Sequence, residues 1–162
     1  LNIYERIDNI FEIVQDCIEH ERQENGLLEN VNDVITIYNN EYGVDTPGIW
    51  IIQHPITAAS DDNLSQELTL KYTIEFVCIE YDPDPETAEK LAKKLAGNVA
   101  ITIKKNYRRL QYEKFEDRII HNVKFNSLLP VGEINVEKKR DKIPVTGLIL
   151  DFLFDVDWEN DC

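Results

Sequence analysis

ELTLKYTIEFVCIEYDPDPE, residues 67–86, decides the fold. From Glu67 to Tyr81 the even positions Leu68, Leu70, Tyr72, Ile74, Phe76 and Cys78 are apolar, and Thr69, Lys71, Thr73 and Glu75 alternate with them. A period of two places successive residues on opposite faces of a strand. Asp82-Pro83-Asp84-Pro85-Glu86 then starts a helix. An aspartate accepts from the free amides, proline suits the first turn, and acids there oppose the positive end of the dipole. Along that helix Ala88, Leu91, Ala92, Leu95, Ala96 and Val99 are predicted to face inward, with Lys104, Lys105, Arg108 and Arg109 near its end. Small alanines on the inner side imply close packing on a sheet. A strand over residues 67–81 would span about 50 Å, against about 17–20 Å for an ordinary strand. It is expected to bend, or to project past its own domain and meet a neighbour.

Working outward, Ile3, Ile7, Ile10, Phe11, Val14, Cys17 and Ile18 recur at helical spacing, so residues 3–20 form an amphipathic helix. Asn2 with Glu5 resembles a capping box, and the helix ends near Gly26. Val31 to Tyr38 fits either a helical turn or a short strand. After the turn formers of Asn39 to Gly43 and Thr46-Pro47-Gly48, Ile49 to Ile52 reads as a strand, and Pro55 to Gln66 as a polar hairpin loop. Beyond the second helix, Ile119, His121, Val123 and Phe125 alternate with polar residues until Pro130-Val131-Gly132 interrupts the strand. Glu137 to Lys142 reads as a charged hairpin tip. In the last strand Leu148, Leu150, Phe152, Phe154, Val156 and Trp158 take one face, with Asp151, Asp155 and Asp157 on the other. The expected fold is α+β in the order α-β-β-α-β-β: a mostly antiparallel four-stranded sheet with two helices packed on one face.

The chain of 162 residues fits one domain, large enough for a core without staples. Its 31 acidic and 17 basic residues give a formal charge of −14. That charge opposes gripping the outside of a nucleic acid, whose phosphates need neutralising, yet it suits a wall that nucleic acid slides past. Cys17, Cys78 and Cys162 are widely spaced, with Cys17 and Cys78 in apolar registers. They imply buried thiols in a reducing compartment rather than a disulfide framework. No apolar run reaches the roughly 18 residues of a membrane span, so no membrane partner is expected, and no signal peptide is visible.

No catalytic, cofactor or metal constellation stands out. His20, His54 and His121 fall in unrelated elements outside any ligand motif, and the 6 glycines are spread singly, which builds no phosphate cradle. Asp82, Asp84 and Glu86 could hold a divalent cation, but helix capping explains them more simply. Asp151, Asp155 and Asp157 suit a solvated or channel-lining face. The basic islands at Lys104-Lys105 with Arg108-Arg109 and at Lys138-Lys139-Arg140 fit either a helix-dipole effect or contact with acidic faces of neighbouring copies.

The element order, residues 45–51 (DTPGIWI), residues 76–84 (FVCIEYDPD) and the closing strand from Ile149 to Trp158 together resemble tail terminator (tail completion) proteins of long-tailed phages and related proviruses. The resemblance covers most of the chain. It implies a non-enzymatic structural virion protein in the tail, assembled in the host cytoplasm. Such a subunit closes into a hexameric ring on the last ring of tail tube protein, ends tube polymerisation and docks the head-tail connector protein. Genomic DNA would pass through the lumen without specific binding. By the same analogy Ser60, Asp61, Asp62, Asn63, Lys138, Lys139, Arg140, Arg108 and Arg109 would make ring or subunit contacts. The alternatives are another head-tail connector or baseplate ring subunit, and a small metal-dependent enzyme of α+β type.

Overall fold

A computed structural model describes residues 3–36, 45–55, 57–58, 67–106, 120–135 and 142–157. The elements run α1 (Ile3–Glu21), β1 (Asp33–Ile35), β2 (Gly48–Gln53), β3 (Thr57–Ala58), β4 (Glu67–Ile79), α2 (Pro85–Lys105), β5 (Ile120–Asn135) and β6 (Lys142–Asp157). The class is α+β. The sheet departs from the expected four antiparallel strands: it has six, in the order β1-β2-β4-β6-β5 with β3 paired to β4 off that path, and β1 lies parallel to β2. The two additional strands are β1 and β3, of 3 and 2 residues, too short to show a period.

Alternation in β4 works as its pattern dictates. Tyr72, Ile74, Phe76 and Cys78 are buried in one cluster with Ile49 and Ile51 of β2, Ile10, Val14 and Ile18 of α1, and Leu95, Ala96 and Val99 of α2. Both helices therefore close over one face. Ala88, Ala92 and Ala96 are fully buried, as close helix-sheet approach requires. Leu91, expected inward, is 37% exposed. At 100° per residue it sits roughly 80° from the middle of the buried stripe, on its rim.

The path out of α1 is pinned by local bonds. Asn25 takes the left-handed conformation (φ 66), which asparagine tolerates. A Cβ on Gly26 would come within 2.0 Å of the Glu21 carbonyl oxygen, so the turn needs glycine there. The Leu28 N–H donates to the same carbonyl at 2.9 Å, and Leu28 and Val31 return to the core. Arg22 then staples the next segment to the helix, donating to the Val31 and Asn32 carbonyls at 3.1–3.3 Å and to Glu19 at 2.8 Å. The segment between Val31 and Tyr38, open in the sequence, is strand at Asp33–Ile35.

β4 pairs with β6 along its whole length, from Glu67 opposite Asp157 to Ile79 opposite Val145. β5 has 16 residues but faces only Lys142 to Phe154, and register shifts between Ile120/Asn122, Phe125/Ser127 and Pro130/Gly132 absorb the excess. These bulges correct two expectations. Ile120, not Ile119 or His121, stands in register opposite Phe154, because His121 is the extra residue. Pro130-Val131-Gly132 does not end the strand either, since pairing continues to Asn135 opposite Lys142. Among the described strands β5 has β6 as its one neighbour, and a proline lacking an N–H is tolerated on an edge and at a bulge. β6 likewise begins at Lys142, before the expected start near Leu148.

Candidate functional site

The nine residues singled out for interaction, Ser60, Asp61, Asp62, Asn63, Lys138, Lys139, Arg140, Arg108 and Arg109, all lie outside the described residues. Their neighbours in sequence are described. Thr57–Ala58 pairs with Leu70 and Lys71, Asn135 with Lys142, and α2 ends at Lys105 with Asn106 as its cap.

Other sequence candidates are accounted for by local bonding. Asp82 Oδ1 accepts from the Asp84 N–H at 2.9 Å, and Asp84 Oδ2 accepts from the Thr87 hydroxyl at 2.6 Å. That hydroxyl holds the Asp84 carboxyl below its ordinary range. These acids organise a helix start. Among the described residues no group of three His, Cys, Asp or Glu is placed to hold a metal, and no helix is long and apolar enough to cross a membrane. Cys17 and Cys78 are buried free thiols, and burial pushes the Cys78 thiol far up, away from the reactive thiolate. His54 is exposed, with Nε2 2.8 Å from Glu75 Oε2 across the β2–β4 pair. Of the basic island at the end of α2, Lys105 Nζ donates to buried Glu21 at 2.8 Å. That bond, with a second from the Leu27 N–H at 2.9 Å, holds Glu21 below the usual carboxylate range and ties the end of α1 to the end of α2.

A shallow notch of about 120 Å³ opens where the chain leaves β4, lined by Leu27, Val31, Glu80, Leu91, Lys94 and Asn98 among others. Burial raises the carboxyl of Glu80. Asn98 closes one side by donating to the Leu27 carbonyl at 3.3 Å. The notch can take one side chain; its groups do not converge as a catalytic site requires.

The larger feature is the sheet face turned away from the helices. On it Val77 and Ile79 are buried, packed with half-buried Ile35, Trp50, Ile52 and Tyr81 in a second apolar cluster. Toward the other end of β4 the same face carries Glu75, Thr73 and Lys71, and by register Asp151 and Asp155 opposite Thr73 and Thr69. By the same register Ile149 and Leu153 alternate with those aspartates and Lys124 stands opposite Asp151, so the face is apolar at one end and mixed at the other. The sequence reading missed the apolar end. Its signal was the run Phe76-Val77-Cys78-Ile79, where alternation gives way to residues apolar on both faces.

Compared with known proteins, the chain matches no family model and no curated protein.

Proposed function

We propose that this chain is a structural ring subunit of a long-tailed virion, which caps the tail tube, ends tube polymerisation and joins the tail to the head connector. One observation carries the reading: strands far longer than the helices need. β5 and β6 have 16 residues each, about 53 Å if straight, whereas a helix of 21 residues such as α2 covers about 32 Å. Among the described elements, a sheet that outruns its two helices presents strand ends to neighbours, as a ring subunit must. The overall charge of −14 suits a lumen through which DNA passes without sticking. In this reading the partners are further copies in a hexameric ring, the tail tube protein and the connector, and the protein resides in the virion tail.

The test combines the purified chain with tail tubes and images them by electron microscopy, with mass measured in solution. Rings, and tubes capped at one end with arrested growth, are expected. A strictly monomeric protein that leaves tube growth unchanged would sink the reading. Rings that bind the baseplate end instead would move the protein to another ring of the same particle.

A further inference from the structure

The helix-side register of β4 runs Tyr72, Ile74, Phe76 and Cys78, all buried in the core. Its next place, immediately past the end of the strand, holds Glu80. The core file thus ends on an acid, at the notch between the segment leaving α1 and the flank of α2. The rim of that notch stands open. Leu27 and Leu91 are each 37% exposed, two of the three large apolar side chains exposed among the described residues.

Other acids of this fold have partners: Glu21 has Lys105 and the Leu27 amide, Glu75 has His54, and Asp84 has the Thr87 hydroxyl. Glu80 is half-buried, and among the described residues no donor or cation meets its carboxylate, so that burial alone sets the direction of its pKa. A carboxylate left partly dry without a partner costs free energy that no contact within the described fold offsets.

These groups define the chemistry of an occupant. An apolar side chain would pack on Leu27 and Leu91 but would dry the unpaired carboxylate further. An anion would meet the charge of Glu80 at close range. A basic side chain satisfies both parts, its stem covering the leucines and its head meeting the carboxylate. Arginine fits better than lysine, because a guanidinium is weakly hydrated and forks onto a carboxylate. Asn98, which donates through Nδ2 to the Leu27 carbonyl, offers its Oδ1 as a second acceptor. Lys94, the one cation lining the notch, is exposed and makes no ion pair with Glu80, whereas Lys90, Lys93 and Lys105 of the same helix are each paired. The net charge of −14 draws in a basic partner and repels further copies of the chain.

We infer that the notch anchors an arginine side chain presented by a basic segment of a different protein, with the guanidinium on the Glu80 carboxylate and the stem between Leu27 and Leu91. The site goes beyond the ring-subunit reading and holds or fails without it.

The isotope-labelled chain is titrated, with NMR as the readout, against Nα-acetyl-arginine methylamide and against its citrulline and norleucine counterparts. The arginine probe is expected to bind in the millimolar range and to shift the Leu27 backbone amide and the Asn98 side-chain amide. The citrulline and norleucine probes should bind about tenfold more weakly or worse, and so should the arginine probe to Glu80→Gln, the scale of one charge-assisted hydrogen bond. Leu27→Ala with Leu91→Ala should weaken the arginine probe several-fold through the lost stem contact. Lys94→Gln should bind it as tightly as the wild type or more so, since a competing cation is gone. An arginine probe that shifts nothing at the notch, a norleucine probe that binds equally well, or a Glu80→Gln chain that binds like the wild type each overturns the inference. Weaker binding by Lys94→Gln does the same, as does self-association in sedimentation velocity that Glu80→Gln abolishes, because a second copy would then fill the notch. Circular dichroism checks that each variant folds; should the double leucine variant not fold, Glu80→Gln and the probe series decide alone.

Discussion

Two glycines show how residue identity is set by what lies within a few ångströms. At Gly26 an added Cβ would strike the Glu21 backbone, so Gly26→Ala should lower stability by about 1–3 kcal/mol in urea unfolding, the usual cost of overpacking. At Gly97, inside α2, an added Cβ meets nothing within 4 Å, so Gly97→Ala should raise stability by about 0.5–1 kcal/mol in the same measurement. The carboxylates divide in the same local way. Glu21 is depressed by the Lys105 ammonium and the Leu27 amide, so its stabilisation is fully present above the unfolded carboxylate pKa and is lost as pH falls through the folded value. Stability measured against pH in Glu21→Gln should therefore show a flatter acid limb than the wild type. Burial raises Glu80, which has the opposite sign: it weakens the fold as pH climbs from the unfolded to the folded pKa. Glu80→Gln should gain stability at neutral pH and none in acid. Neither role was legible from the sequence, where both glutamates look like ordinary surface acids; burial of Glu21 arises only because α1 and α2 end side by side.

At the scale of elements, β5 best shows what pattern can and cannot reveal. Its apolar residues Ile120, Val123, Phe125 and Leu128 are spaced three, two and three apart, which fits neither a strand nor a helix. A bulge falls in each gap of three, at His121 and Asn126, so all four come into the helix-side register opposite Phe154, Phe152, Leu150 and Leu148. Strict alternation read from Ile119 through Phe125 goes wrong at the first bulge, because one extra residue exchanges the two faces. The element yields a sharp contrast between two single-residue deletions. Deleting Asn126 removes a bulge and leaves every flanking pair in register, so thermal melting should change little. Deleting Lys124 brings Val123 and Phe125 into adjacent positions and moves one onto the wrong face. That deletion should cost at least about 2 kcal/mol, the burial of one large apolar side chain, and an equal effect of the two would contradict the register. β4, whose 13 residues alternate from Glu67 to Phe76, and α2, announced by its aspartate-proline start, were by contrast legible almost to their ends.

Across the whole molecule, the charge of −14 sets the terms for partners. Binding to duplex DNA should be weaker than the roughly 10⁻⁴ M that marks the weak end of non-specific binding at physiological salt, measurable by fluorescence anisotropy; tighter, salt-sensitive binding would contradict a passive lumen. Much of the architecture is local in origin and could be read directly. Periods of two and 3.6, a proline-aspartate helix start and clustered turn formers determined the α+β class, both helices, the long strand and the helix-facing core of β4, because each is decided by residues a few positions apart. Three things were decided by the tertiary structure alone: the parallel β1, the bulges of β5, and the bond from half-exposed Lys105 to buried Glu21. Each depends on which distant segment lies alongside. Alternation says that a strand has two faces; only its neighbours say which of them is covered.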